Sequence, residues 1–144
     1  MFGSFESHYF TFEAVESIIV GRCILSNLSD EENIEAVGQE LMTLIDKYEC
    51  RELILDLVNV EYMNSSMVGK MIRAHRQLHR DGGKLVICNL NPTVHEILST
   101  SHLLTYFNTA TNIPAAATLF DSIQEDDDND DPDNPNLMDT VDDI

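Results

Sequence analysis

Positive charge is scarce in this chain. Its 144 residues hold 8 Lys+Arg against 26 Asp+Glu, for a formal net charge of −18. So repulsive a field excludes a nucleic-acid binder that works by neutralising phosphates. Long apolar runs are missing as well. None approaches the ~20 residues needed to cross a bilayer, so no membrane insertion is expected. Met1 to Phe10 has neither a basic start nor a continuous apolar stretch, and does not read as a secretory signal. A cytoplasmic protein is expected. Cys23, Cys50 and Cys88 are an odd set without a C-x-x-C pair, which argues against a disulfide framework or a zinc knuckle. Cys88 ends the apolar run Leu85-Val86-Ile87-Cys88, and all three cysteines read as small buried hydrophobes rather than nucleophiles.

Catalytic signatures are absent too. Gly82-Gly83 follows a helical pattern instead of opening one, and neither G-x-G-x-x-G nor G-x-x-x-x-G-K occurs. There is no G-x-S-x-G elbow, and Asp56 lacks the paired acids of a magnesium-dependent phosphoacceptor. His75 and His79 lie four apart on one helix face. They are followed by none of the glutamate and third-ligand spacing of a zinc site, so they read as surface or half-buried histidines. An enzyme is not expected, nor a cofactor or metal.

What is present is an alternation of two hydrophobic periods. Tyr9 to Val15 and Ser17 to Ile24 read as a hairpin. Ser29-Asp30-Glu31-Glu32 matches a capping box, and Ile34, Val37, Leu41, Leu44, Ile45 and Tyr48 follow at helical spacing. Leu53 to Val58 is a nearly continuous apolar run, as in a strand covered on both faces. Ser66 to Arg80 is amphipathic and ends at Asp81-Gly82-Gly83, a left-handed stop. Lys84 to Cys88 is a second buried strand, and Pro92 opens a short helix. Tyr106 to Ala110 is a weaker strand, and a last helix runs from Pro114 to about Gln124. Strand 53–58, helix 66–80 and strand 84–88 form a parallel crossover unit. The expected fold is α/β, a mixed and mostly parallel sheet with about four helices, in the order β-β-α-β-α-β-α-β-α.

Charge divides the chain in two. Residues 121–144 carry 11 acids and no Lys or Arg. Beyond Gln124 the sequence has almost no apolar residues and no period, so residues 125–144 are expected to be a disordered acidic tail. A calcium loop starting at Asp126 fails, because Asp131 stands where glycine is needed and Leu137 where glutamate is needed. Against this background Lys70, Arg73, Arg76 and Arg80 form a basic row on helix 66–80. They are either cations favoured near a helix C-terminus or a contact surface for an acidic partner.

The segment Tyr62-Met63-Asn64-Ser65-Ser66-Met67 joins a buried strand to that helix, at the sheet edge where function collects in open α/β folds. By spacing alone its serines read as helix caps. The whole run Leu53-Ile-Leu-Asp-Leu-Val-Asn-Val-Glu-Tyr-Met-Asn-Ser-Ser-Met-Val-Gly69, followed by Asp81-Gly82-Gly83-Lys84-Leu85-Val86, Asn91-Pro92-Thr93-Val94 and Ser101-His102-Leu103-Leu104, resembles the STAS domain over residues 8–124. Asn64, Met67 and His102 stand where the family pattern has an acid and two glycines.

Among STAS proteins the chain is most similar to one-domain anti-sigma factor antagonists. The resemblance implies phosphorylation of Ser65, with Ser66 as its neighbour, by a GHKL-type serine kinase that is also the anti-sigma factor. A serine phosphatase would reverse it. It also implies partner contacts through Tyr62, Met63, Asn64, Ser65, Ser66, Met67, Lys70 and Arg73. The alternative is a STAS scaffold or adaptor of a transporter or signalling assembly that works without phosphorylation. Removal of residues 125–144 is expected to leave the melting temperature nearly unchanged, as read by circular dichroism; a large drop would place the tail in the folded unit.

Overall fold

A computed structural model describes residues 7–125. The expected acidic tail therefore lies outside the described residues, apart from Glu125. Three strands open the chain: β1 (Phe10–Val15), β2 (Ile18–Cys23) and the two-residue β3 (Asn27–Leu28). There follow α1 (Glu31–Asp46), β4 (Glu52–Asp56), the two-residue β5 (Tyr62–Met63), α2 (Ser65–Arg80), β6 (Lys84–Cys88), α3 (Pro92–Thr100), β7 (Asn108–Ala110) and α4 (Ile113–Glu125). The order expected from hydrophobic period holds, with β3 and β5 added.

The main sheet runs β1-β2-β4-β6-β7. Only the β1–β2 hairpin is antiparallel; β4 pairs parallel with β2 and β6, and β7 pairs parallel with β6. The hairpin turns through Glu16 and Ser17, with Glu16 in the left-handed region at φ 58°. Burial on both faces explains the continuous apolar runs. Leu53, Leu55, Leu85 and Ile87 face the core under α1 and α2, while Ile54, Val86 and Cys88 alternate to the other face, beneath Ala116 and Phe120 of α4. Among the described residues no helix is long and apolar enough to cross a membrane.

Helix ends show where sequence spacing misplaces a boundary. The cap of α1 is Asp30, whose side chain accepts from the Asn33 amide at 3.1 Å. The expected Ser29 box does not form. Ser29 sits directly after β3, and its hydroxyl donates to Asn27 Oδ1 instead. The last strand is shorter than expected because Tyr106 and Phe107 leave the ladder to pack against the His75 ring, 5.0 and 5.5 Å between centroids. His102, at a family glycine position, has φ 61°. A glycine adopts that backbone freely, and a side chain does not.

The turn from α2 into β6 rests on two glycines. Gly82 sits at φ 85°, and the Gly83 amide donates to Leu78 O at 2.7 Å, closing α2. The next amide, of Lys84, donates to Arg51 O at 2.8 Å and starts the β4–β6 pairing. A Cβ on Gly83 would lie 2.1 Å from that Arg51 oxygen, which as backbone has little room to retreat. Gly83→Ala is expected to lower the unfolding free energy by about 1–3 kcal/mol. At Gly69 of α2 an added Cβ meets nothing within 4 Å, so Gly69→Ala should raise stability by up to about 1 kcal/mol. Urea titrations of both variants check the pair, and equal midpoints would refute the crowding at Gly83.

Candidate functional site

The short parallel pair of β3 with β5 places two helix N-termini side by side. Its register is Asn27↔Tyr62 and Leu28↔Met63, and the Asn64 amide extends it by donating to Leu28 O at 3.0 Å. α1 begins directly after one strand and α2 directly after the other. Their polarities differ: α1 has Glu31 and Glu32 in its first turn, whereas α2 has no acid there.

Asn64 caps α2. Its Oδ1 accepts from the Met67 amide at 3.1 Å and its Nδ2 donates to Ser29 O at 3.4 Å. The cap needs a side-chain oxygen and no charge, so asparagine serves where the family pattern has an acid. Ser65 is then the first helical residue and not the cap, contrary to the spacing. Its side chain is exposed. The first amides of a helix have no partner within it, so this hydroxyl stands in a field that favours negative charge. Ser66 differs: its hydroxyl donates to Glu31 Oε2 at 3.2 Å. One serine is open and the other is tied to the neighbouring helix.

The remaining residues of the expected contact surface divide as follows. Tyr62 is exposed, at 42%. Met63 and Met67 are 1% exposed and belong to the core, so the expectation that their side chains face a partner is corrected. Met67 falls at the start of the buried stripe Met67, Met71, Ala74 and Leu78, where a larger side chain in place of glycine fills space inside the protein. Lys70 is half-buried and donates to Glu35 Oε2 of α1 at 2.9 Å. Arg73 is exposed one turn further on.

Two apolar residues escaped the sequence reading. Ile24 and Val58 are 48% and 51% exposed. They follow β2 and β4 at the sheet edge where α2 begins, and simply looked like the last residues of apolar strands. Hydrogen bonds join their two segments: Asn59 Nδ2 donates to Cys23 O at 3.3 Å, and the Glu61 amide to Ser26 O at 2.7 Å.

Beneath this edge lies Asp56, with no solvent exposure. Arg22 Nε donates to its Oδ2 at 2.7 Å; the Val58 amide and Asn89 Nδ2 donate to Oδ1 at 3.1 and 2.9 Å. The carboxylate raises the Arg22 pKa in return, chiefly through this hydrogen bond. With three donors already bound, Asp56 is a structural clamp. Burial raises the Cys23 thiol and pushes Cys50 and Cys88 up to about 12, so none is a nucleophile at neutral pH. Burial also lowers His75 to about 4, leaving a neutral ring packed among aromatics rather than a ligand pair with His79.

Comparison with known proteins bears on the family and the fold. The family model of the STAS domain matches residues 20–125. The anti-sigma factor antagonist BtrV of Bordetella bronchiseptica is 30% identical over 110 residues, which are 76% of this chain and 92% of the relative. A solved STAS domain protein from Planctomyces limnophilus superposes with a TM-score of 0.70 at 17% identity, covering 78% of this chain and 97% of its own. The Bacillus cell fate determinant SpoIIAA in its phosphorylated form gives 0.59 at 22% identity, over 76% and 98%.

The capping geometry separates two neighbouring residues by stability alone. Asn64→Ala should cost about 1 kcal/mol, whereas Ser65→Ala should stay within about 0.5 kcal/mol of the parent. Chemical denaturation measures both. A larger loss at Ser65 than at Asn64 would move the cap back to the serine.

Proposed function

Because the chain belongs to the STAS domain family, we propose that it is an anti-sigma factor antagonist, switched by phosphorylation of Ser65. The reading rests on one contrast. The Ser65 hydroxyl is exposed at the first position of α2, while the Ser66 hydroxyl is held by Glu31 at 3.2 Å. A kinase approaching this edge meets Ser65. The enzyme proposed is a GHKL-type serine kinase that is itself the anti-sigma factor, and a serine phosphatase resets the switch.

Phosphate at Ser65 adds about −1.5 to −2 charges. The α2 dipole and the first-turn amides accommodate that charge, so the fold persists. The surface around it changes character. Unphosphorylated, this edge offers Tyr62, Ile24 and Val58 as apolar contacts, with Asn64, Ser66, Lys70 and Arg73 around them. Phosphorylated, a hydrated dianion stands beside them. Bringing it into a neutral interface without a partner cation costs several kcal/mol, a hundredfold or more in affinity. Met63 and Met67 contribute from beneath, by setting the position of α2.

Three substitutions test the switch. Ser65→Asp should keep the fold and lose the partner. Ser65→Ala should bind the partner and resist release by kinase and ATP, and Ser66→Ala should still accept phosphate. Calorimetry with the anti-sigma partner and phosphate mapping by mass spectrometry give the readouts. If Ser65→Asp binds like the parent and no phosphoserine forms at 65, the antagonist reading fails and an unphosphorylated scaffold takes its place.

A further inference from the structure

Two acids of α1 face the first turns of α2. Glu31 Oε2 accepts from the Ser66 hydroxyl at 3.2 Å, and Glu35 Oε2 accepts from Lys70 Nζ at 2.9 Å. Each pair is 35 residues apart in sequence, and the second lies one turn beyond the first on both helices. α1 and α2 therefore run side by side in one direction and in a fixed register. Backbone sets that register: β3 pairs with β5, and the Asn64 amide donates to Leu28 O at 3.0 Å. The Lys70 stem lies across Gly38 of α1, where an added Cβ would stand 2.7 Å from Lys70 Cδ.

We propose that Glu31 and Glu35 select the phosphoacceptor, making Ser66 a poor one and leaving Ser65 as the single site. This rests on the reading of Ser65 as the switch residue and names what confines the switch to it. Transfer from ATP forms an Oγ–P bond, releases ADP and passes the hydroxyl proton to a base of the kinase. At Ser66 that proton points instead at Glu31, a carboxylate of the substrate itself. The arriving phosphoryl group would bring its charge against the same carboxylate.

The cation best placed to offset that charge is Lys70, four residues on and on the same side of α2. Glu35 withholds it, and Gly38 gives its stem the path toward α1. Arg73 is two turns from Ser66, about 10 Å along the axis, and lines a cavity that Glu35 and Asp46 also line. Ser65 escapes both acids. One residue earlier, it is turned by about 100° around the helix. Its side chain is exposed, whereas that of Ser66 is half-buried. The N-terminus of α2 favours an anion at either serine, so the dipole does not choose between them. The neighbouring helix does.

The test uses full-length Glu31→Gln, Glu35→Gln and the double variant, incubated with the serine kinase and ATP, with phosphate mapped by mass spectrometry. The parent should carry its phosphate almost entirely at Ser65. Glu31→Gln keeps an acceptor for the hydroxyl but removes the charge, and should raise the share at Ser66 about tenfold. Glu35→Gln should raise it less, and the double variant most, because Lys70 is then free to turn to Ser66. An unchanged share at Ser66 in all three variants would overturn the proposal and leave the switch in place. Phosphate at neither serine of the parent would overturn the switch reading itself, and the proposal with it. A second measurement needs no kinase. Ser66→Asp and Ser65→Asp are each combined with Glu31→Gln, and urea unfolding is followed at about 10 mM salt, where charges act over about 30 Å. Ser66→Asp should couple to Glu31→Gln by about threefold in the unfolding equilibrium constant, and Ser65→Asp by much less. Equal coupling at the two serines would overturn the proposal whatever the kinase does.

Discussion

Asp56 has no contact with solvent, and a carboxylate in that position is stable only when donors meet its oxygens. Each of its three donors comes from a different piece of chain: Arg22 on β2, the Val58 amide in the loop after β4, and Asn89 after β6. The three parallel strands are thereby joined at their carboxyl ends by one group. Asn89 holds a left-handed backbone there, at φ 59°. The loop that leaves Asp56 then has a defined course through Val60 and Glu61 to β5, and from β5 to the α2 cap. The position of Ser65 follows from that of a buried acid nine residues earlier.

Around this clamp the charges are sorted by helix. α1 carries Glu31 and Glu32 in its first turn, and α2 carries Ser65 and Ser66 in the same place. Two positive helix ends lie side by side, and acids supplied by one helix stand next to the neutral end of the other. Glu31 serves both, since it lies in the first turn of α1 and accepts from Ser66 of α2. An anion added at Ser66 would meet that carboxylate directly, whereas Ser65 is exposed at the first helical position.

Much of the fold was legible because β4 and β6 are buried on two faces and α1 and α2 on one, and both situations leave a pattern in the sequence. The pair β3–β5 was not, because two residues carry no period. Ser29 and Asp30 are both good caps, and only the end of β3 decides between them. Met67 was legible in principle: it stands four residues before Met71 and seven before Ala74, all on the buried stripe. Its assignment to the surface came from family resemblance, which gives a position but not a direction. Ser65 was identified by the same resemblance. Its exposure, and the engagement of Ser66, depend on α1 and are invisible in the local sequence. Ile24 and Val58 look like strand termini in any linear reading, and only the sheet edge exposes them.

The three thiols have a further implication for the chemistry this protein undergoes in a cell. Burial raises all three thiols and pushes Cys50 and Cys88 up to about 12, so the ionised form is scarce at neutral pH. The thiolate is the form that attacks peroxide and disulfides, and here it is scarce as well as buried. All three cysteines are free and buried in the core. In the folded chain, burial thus disfavours oxidation of all three thiols.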